Sequence, residues 1–226
     1  MKKRLILVLL IASAIMGGAC SFSNITIGQR ALRGSGDVIT ETRQVSNFTR
    51  IELDGSGDVE IVFADKESIT IEAEDNIMPL IETKVSNGVL NIGFKSNTSV
   101  TTFKPIRFTI EMKSLEGVRI DGSGDVHIPE SAFDALDLEI NGSGDIQANG
   151  TAEILDVRLD GSGNINCADL TARSAVVNVN GSGSAKIDVT DSLNIDISGS
   201  GSVRYSGDPA TLHTNVSGSG SIKKTD

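Results

Sequence analysis

Tryptophan is absent from this 226-residue chain, tyrosine occurs once and phenylalanine seven times. With so few rings, any interior must be filled by aliphatic side chains, and aromatic platforms for sugar rings are scarce. Histidine occurs only as His127 and His213. Both fall at outward positions of the pattern described below, which disfavours a His/Cys metal cluster or a Ser-His-Asp arrangement. The only cysteines are Cys20 and Cys167. If Cys20 is modified, the remaining chain cannot form an internal disulfide, and its stability must come from packing. Cys167 sits on the alternation Ile165-x-Cys167 and reads as a small inward hydrophobe. The phosphate-binding G-x-x-x-x-G-K-[ST], the esterase G-x-S-x-G and the zinc-protease H-E-x-x-H are all missing. Basic residues are in deficit, 20 against 30 acids, for a formal net charge of −10. Three of the basic residues and none of the acids lie in residues 1–20, so the remainder holds 17 against 30, near −13. Such a surface repels nucleic acid and anionic lipid headgroups; the expected partner is neutral, cationic or bridged by metal ions.

The chain opens on a leader. Lys2, Lys3 and Arg4 precede an apolar run from Leu5 to Met16. The run is too short to span a bilayer and suits the hydrophobic region of a secretory signal. Gly17-Gly18-Ala19-Cys20 then leads small residues into a cysteine, as in a bacterial lipobox, with Gly17 where that pattern prefers Leu. The expectation is a lipoprotein-type signal peptide over 1–19, lipid attachment at Cys20, a tether over 20–33 and a folded domain over 34–226. Acyl chains add about 0.8 kcal/mol per buried CH₂, so several chains anchor firmly. The compartment implied is the bacterial cell envelope, the outer membrane rather than the inner, with the protein facing the periplasm or the exterior.

Gly-Ser-Gly occurs eight times, starting at residues 34, 55, 122, 142, 161, 181, 199 and 218. The starts are separated by 21, 67, 20, 19, 20, 18 and 19 residues. A fixed period of this kind marks a repeat architecture. Each copy is preceded by an alternating stretch such as "RIELDGSG", "GVRIDGSG" or "LDVRLDGSG". Ile51 and Leu53, Val118 and Ile120, and Val157 and Leu159 fall on one side; Glu52, Arg119, Glu139 and Arg158 fall on the other. A second alternating stretch follows the turn, as in Val126-x-Ile128. Period two means strands with one buried face. Two strands and a sharp corner every twenty residues or so predict an all-β fold, a right-handed single-stranded parallel β-helix (a β-solenoid). Windings stacked about 4.8 Å apart would bury Ile, Leu and Val in a shared interior. Seven to nine coils are expected, with a less regular half over 34–120, where the 67-residue gap can hold degenerate copies, and regular coils over 121–226.

The corner glycines are Gly55, Gly57, Gly122, Gly124, Gly142, Gly144, Gly161, Gly163, Gly181, Gly183, Gly199, Gly201, Gly218 and Gly220. A corner repeated directly above itself leaves no room for a Cβ, and some of its positions need positive φ. Gly124→Val is expected to cost several kcal/mol through strain and clash. Flanking the turn are two polar columns. Asp37, Asp58, Asp125, Asp145, Asn164, Ser184, Ser202 and Ser221 follow it; Asp54, Asp121, Asn141, Asp160, Asn180, Ser198 and Ser217 precede it. Stacked carboxylates such as Asp58, Asp125 and Asp145 could hold a hard cation such as Ca²⁺. Free mixing with Asn and Ser instead fits corner residues that bond nearby amides.

The lipoprotein-like leader, "IELDGSGDVEI", "IETKVSNGVLNIGFK", "PIRFTIEMKSLEGVRIDGSGDV" and the serial GSG coils together resemble the head GIN domain family of auto-transporter adhesins, over residues 37–226. The resemblance implies a right-handed β-helix-like fold in an envelope protein, and accounts for the long gap as the family's distinct N-terminal half. It supplies no catalytic residue and no cofactor. The function expected is a non-catalytic envelope lipoprotein presenting a rigid acidic solenoid for adhesion or scaffolding; the alternative is a polysaccharide-binding or polysaccharide-processing β-helix protein. Expected partners are the membrane, through the lipid, another envelope protein or a glycan, and a second copy through the strand edges exposed at the solenoid ends. Nucleic acid is not among them.

Overall fold

The computed structural model describes residues 31–225. The leader, Cys20 and residues 20–30 of the tether lie outside the described residues. Seventeen strands form: β1 (Leu32–Arg33), β2 (Val38–Gln44), β3 (Arg50–Gly55), β4 (Asp58–Phe63), β5 (Ser68–Glu74), β6 (Ile81–Ser86), β7 (Val89–Phe94), β8 (Val100–Thr101), β9 (Arg107–Met112), β10 (Gly117–Gly122), β11 (Asp125–Gly142), β12 (Asp145–Gly161), β13 (Asn164–Gly181), β14 (Ser184–Gly199), β15 (Ser202–Ser206), β16 (Thr211–Gly218) and β17 (Ser221–Lys224). They wind into a β-solenoid of about five turns with coils of about 20 residues, and 72% of the structure is strand.

Two outer faces meet at the GSG corner. The pre-corner face stacks β3, β10 and the C-terminal halves of β11 to β14, with β16 beyond. The post-corner face stacks β4, the N-terminal halves of β11 to β14, then β15 and β17. Pairing in both stacks is parallel and the corners are in register. Alternation drives this arrangement: Ile120, Ile140, Leu159 and Val179 are at most 1% exposed and lie one above another. The post-corner face contributes Val126, Ile146, Ile165 and Ala185 to the same interior. Cys167 is buried with them, and its burial pushes the thiol pKa up to about 12.

About five turns form rather than seven to nine, because the 67-residue gap hides no further coils. Gly122 pairs directly with Gly55, so those two corners are adjacent rungs. Between them the chain leaves the stack and builds its N-terminal end. On the pre-corner face β7 joins β3 in parallel, and β6 then pairs antiparallel with β7. On the post-corner face β9 joins β4 in parallel, then β5 and β2 add on antiparallel. The ladder is therefore parallel through the coils and antiparallel at this end. A 3₁₀ turn at Met78–Leu80, with Pro79 in its first turn, links the two additions. Residues 129–137 stay within β11 around a register shift between Ile128 and Ser131.

The first Gly-Ser-Gly, 34–36, is not a rung. It is held by the end of β5: Gly36 N donates to Glu74 Oε1 at 2.7 Å, and Ser35 N donates to Asn76 Oδ1 at 3.0 Å. Glu74 is 1% exposed and its other oxygen accepts from Phe103 N at 3.0 Å. Asp37 consequently stands apart from the column that begins at Asp58.

Candidate functional site

The corner is the most regular part of the surface. The ladder passes through it without a break: Ser143 N donates to Gly122 O and Ser162 N to Gly142 O, both at 2.8 Å, and Asp145 N donates to Gly124 O at 3.2 Å. The two glycines of a corner serve different ends. Gly142 has φ of 142°, and a Cβ there would overlap the Gly122 carbonyl oxygen. Gly124 has no positive φ; a Cβ there would overlap Leu53 and the Gly57 carbonyl of the preceding rung. Close approach, rather than backbone strain, is what excludes Val at Gly124.

The polar columns beside the corner bond along the stack. Asp125 Oδ1 accepts from Asp145 N at 3.2 Å, Asp145 Oδ1 accepts from Asn164 N at 2.9 Å, and Ser184 Oγ donates to Asn164 Oδ1 at 2.6 Å. Each side chain thus reaches the rung above, a role Asp, Asn and Ser share. Asp58, Asp125 and Asp145 stand one per rung. Burial raises the Asp125 pKa, and the neighbouring Asp145 and Asp58 add to the rise, against the amide bond from Asp145. Among the described residues, no group of three or more His, Cys, Asp or Glu side chains converges in a geometry for a metal ion. His127 lies on the post-corner face, 3.9 Å from Glu60, while His213 lies on the pre-corner face.

The pre-corner face pairs its own charges. Glu52, Arg119, Glu139 and Arg158 occupy one column, one per rung, with sign alternating at every step. Arg119 reaches Glu139 at 3.3 Å and donates through Nε to Asp121 at 2.8 Å. That hydrogen bond holds the Asp121 carboxyl below its usual range and raises the guanidinium. Arg50 crosses over Gly117 to pair with Asp137, a span open only because Gly117 has no side chain. Arg158 joins Asp137 and Asp156. Burial raises the Asp156 pKa, with Arg158 opposing. These outward residues are legible as outward in the sequence; their alternation of sign becomes apparent only when residues 19 or 20 apart, or 67 apart, are set side by side.

The post-corner face is built differently. A shallow concavity of about 500 Å³ lies over its N-terminal rungs, lined by Asp58, Glu60, Arg107, His127, Asp145 and Asn166 among others. Here carboxylates of adjacent rungs face each other, as Asp125 faces both Asp58 and Asp145.

The family described as "Putative auto-transporter adhesin, head GIN domain" matches residues 47–209. The chain belongs to that family. The matched segment runs from the first rung through β15, so it takes in most of the head GIN solenoid with β5, β6, β7 and β9 of its N-terminal end, and leaves out β2 and the last winding, β16 and β17. A crystal structure described as a "putative adhesin" from Bacteroides fragilis is 27% identical, with a TM-score of 0.72 over 86% of this chain and all of the other. Two further solved structures share the fold. One, a "putative adhesin" from Parabacteroides merdae, is 22% identical with a TM-score of 0.60 over 87% of this chain and 99% of the other. The second, a "putative lipid binding protein" from Parabacteroides distasonis, is 24% identical with a TM-score of 0.56 over 87% of this chain and all of the other. No curated protein matches the sequence.

Proposed function

We propose that this head GIN protein is a non-catalytic lipoprotein of the bacterial cell envelope, carried by lipid on Cys20 at the outer membrane, that presents a rigid solenoid for adhesion or scaffolding. The observation that carries the reading is the family match over 47–209, joined to the fold shared with the Bacteroides fragilis adhesin structure. A stacked ladder suits the role. On β11 to β14 the outward side chains stand on strands bonded to both neighbouring rungs, so a partner meets a surface that needs little ordering on contact. The concavity on the post-corner face supports a second reading, glycan binding or processing at that face.

Cys20→Ser in cells that make the protein tests the first reading. The wild-type chain is expected in the membrane pellet and the variant in the soluble fraction, with attachment of the cells to a coated surface reduced in the variant. A variant that stays in the pellet overturns the lipid anchor, and unchanged attachment when the protein is deleted overturns adhesion. Turnover of a glycan by the purified chain replaces the first reading with the second.

A further inference from the structure

On the post-corner face, the third residue after each stacked corner forms a single column across the rungs, Glu60, His127, Gln147, Asn166, Lys186, Arg204 and Lys223, with Thr109 of β9 beyond Glu60. Its last three members are all cations and all exposed. Lys186 pairs in register with Arg204, and Arg204 with Lys223. Three positive charges therefore stand in a row about 4.8 Å apart. Like charges directly opposite on a sheet repel. The pre-corner face avoids that cost by alternating Glu52, Arg119, Glu139 and Arg158. Among the described residues, none of the three cations has an acidic group within ion-pair distance; the neighbouring Lys224 is engaged by Asp208. The nearest carboxylate along β14, Asp188, already accepts from Thr171 Oγ1 at 2.8 Å and Ser206 Oγ at 2.9 Å. The column beside the row is Ser184, Ser202 and Ser221, a hydroxyl for every cation.

We infer that Lys186, Arg204 and Lys223 form a binding row for an acidic polysaccharide, laid along the solenoid axis with its anionic groups on the cations and its hydroxyls against the serine column. The inference deepens the reading of the solenoid as a binding surface and does not depend on the lipid anchor. Its basis is charge placement. A chain of net charge −10 keeps three cations, unpaired by any described acid, in register at one end of one face, where alternation elsewhere shows that pairing was available. The width of the row selects the ligand. An anionic bilayer would press a broad negative plane against the acidic columns as well, which repel it. Single-stranded nucleic acid needs stacking platforms beside the charge, and the row has no exposed aromatic neighbour. A second copy offering its own Asp58–Asp145 column would require that column free, yet Asp125 and Asp145 already bond the next rung, and Arg107 and His127 stand 3.9 Å from Asp58 and Glu60. A narrow chain with one acidic group per sugar meets the cations alone. The expectation of a neutral, cationic or metal-bridged partner rests on net charge, which averages over a surface on which sign is segregated.

The test uses the full chain in detergent, immobilised polygalacturonate as the probe and neutral dextran as its control. The variant is K186Q/R204Q/K223Q; K84Q/K95Q/K104Q, equal in charge change and away from the row, is the reference. The expected result is binding to polygalacturonate and not to dextran, weakening as salt rises from ~0.05 M to ~0.3 M. The row variant is expected to bind roughly tenfold more weakly or worse, as three exposed ion pairs are lost, and the reference variant to bind nearly as wild type. Unchanged melting of both variants assigns the loss to binding. Equal weakening in both variants, absence of polygalacturonate binding, preferential binding to anionic phospholipid vesicles, or a row-dependent dimer by sedimentation in place of polysaccharide binding each overturns the inference. Cell attachment that survives the row variant overturns it too while leaving the adhesion reading intact; polygalacturonate binding by a protein whose deletion leaves attachment unchanged does the reverse.

Discussion

The two ends of the stack are finished differently. At the N-terminal end the parallel ladder turns back on itself: β6 closes one face and β5 with β2 close the other, all by antiparallel pairing. The residues inside that end are as buried as those in mid-stack; Leu90, Ile69, Ile71 and Ala73 are all 0% exposed. At the C-terminal end β16 and β17 each pair on one side with the winding below. Leu212 and Val216 occupy the inward register of Leu193 and Ile197, yet are 46% and 43% exposed. The sequence pattern is the same at both places. What differs is whether another layer lies over it, so inward alternation specifies a face and burial requires a neighbour.

The most disruptive way to test this contrast is to cut the stack between its ends. Gly142→Val places a branched side chain at φ 142° and against the Gly122 carbonyl. A loss of about 3–6 kcal/mol is expected from strain plus overpacking. Urea unfolding measures it, and a loss below about 1 kcal/mol would mean the corners are not stacked as described. A finer test compares neighbouring rungs. Leu193→Ala, at a site 1% exposed, is expected to cost about 2–5 kcal/mol, whereas Leu212→Ala, one rung on, should cost less than about 1 kcal/mol. Equal costs would show that the last winding is covered after all.

The smallest effects come from the corner acids, which are confined to the N-terminal rungs because Ser replaces them in the later ones. Burial raises the folded pKa of Asp125, so its contribution to stability is fully present below the unfolded carboxylate value and is lost as pH rises through the raised folded value. Asp125→Asn should therefore stabilise slightly at pH 7, by at most about 0.5 kcal/mol after solvent screening, with no gain in acid. Asp121 is opposite in sign. Its pKa is lowered by Arg119, so its contribution is present above the unfolded value and lost as pH falls through the folded one. Asp121→Asn should destabilise at pH 7 and match the wild type in acid. Paired melting curves across pH read both.

The corner and the core were legible because they depend on local facts: a small-residue tripeptide flanked by period-two strands. Ile51, Val118 and Val157 point inward as their alternation requires. The N-terminal end was less legible. Its hairpin carries a signal in "KVSNGVLNI", where Asn87 and Gly88 adopt φ of 53° and 78° between β6 and β7. Repeat spacing points the other way, since 67 residues look like three periods plus a few when they are one step with an excursion. The first Gly-Ser-Gly shows why a tripeptide cannot fix its own place. It permits a tight path, but Glu74, forty residues on, decides what it touches. The charge columns were hidden because their members are separated by whole windings; Lys186, Arg204 and Lys223 are single basic residues in the chain and neighbours only in the ladder.

Each winding is bonded solely to the ones directly above and below it, and its strands run across the long axis. Tension on the C-terminal end therefore opens the structure like a zipper rather than shearing it, since the ladder bonds of one winding are loaded a few at a time. Freeing one coil of about 20 residues lengthens the chain by roughly 70 Å at full extension while the coils beneath stay wound. A molecule held at one end and pulled at the other would yield by reversible increments, with the antiparallel end as the last part to let go.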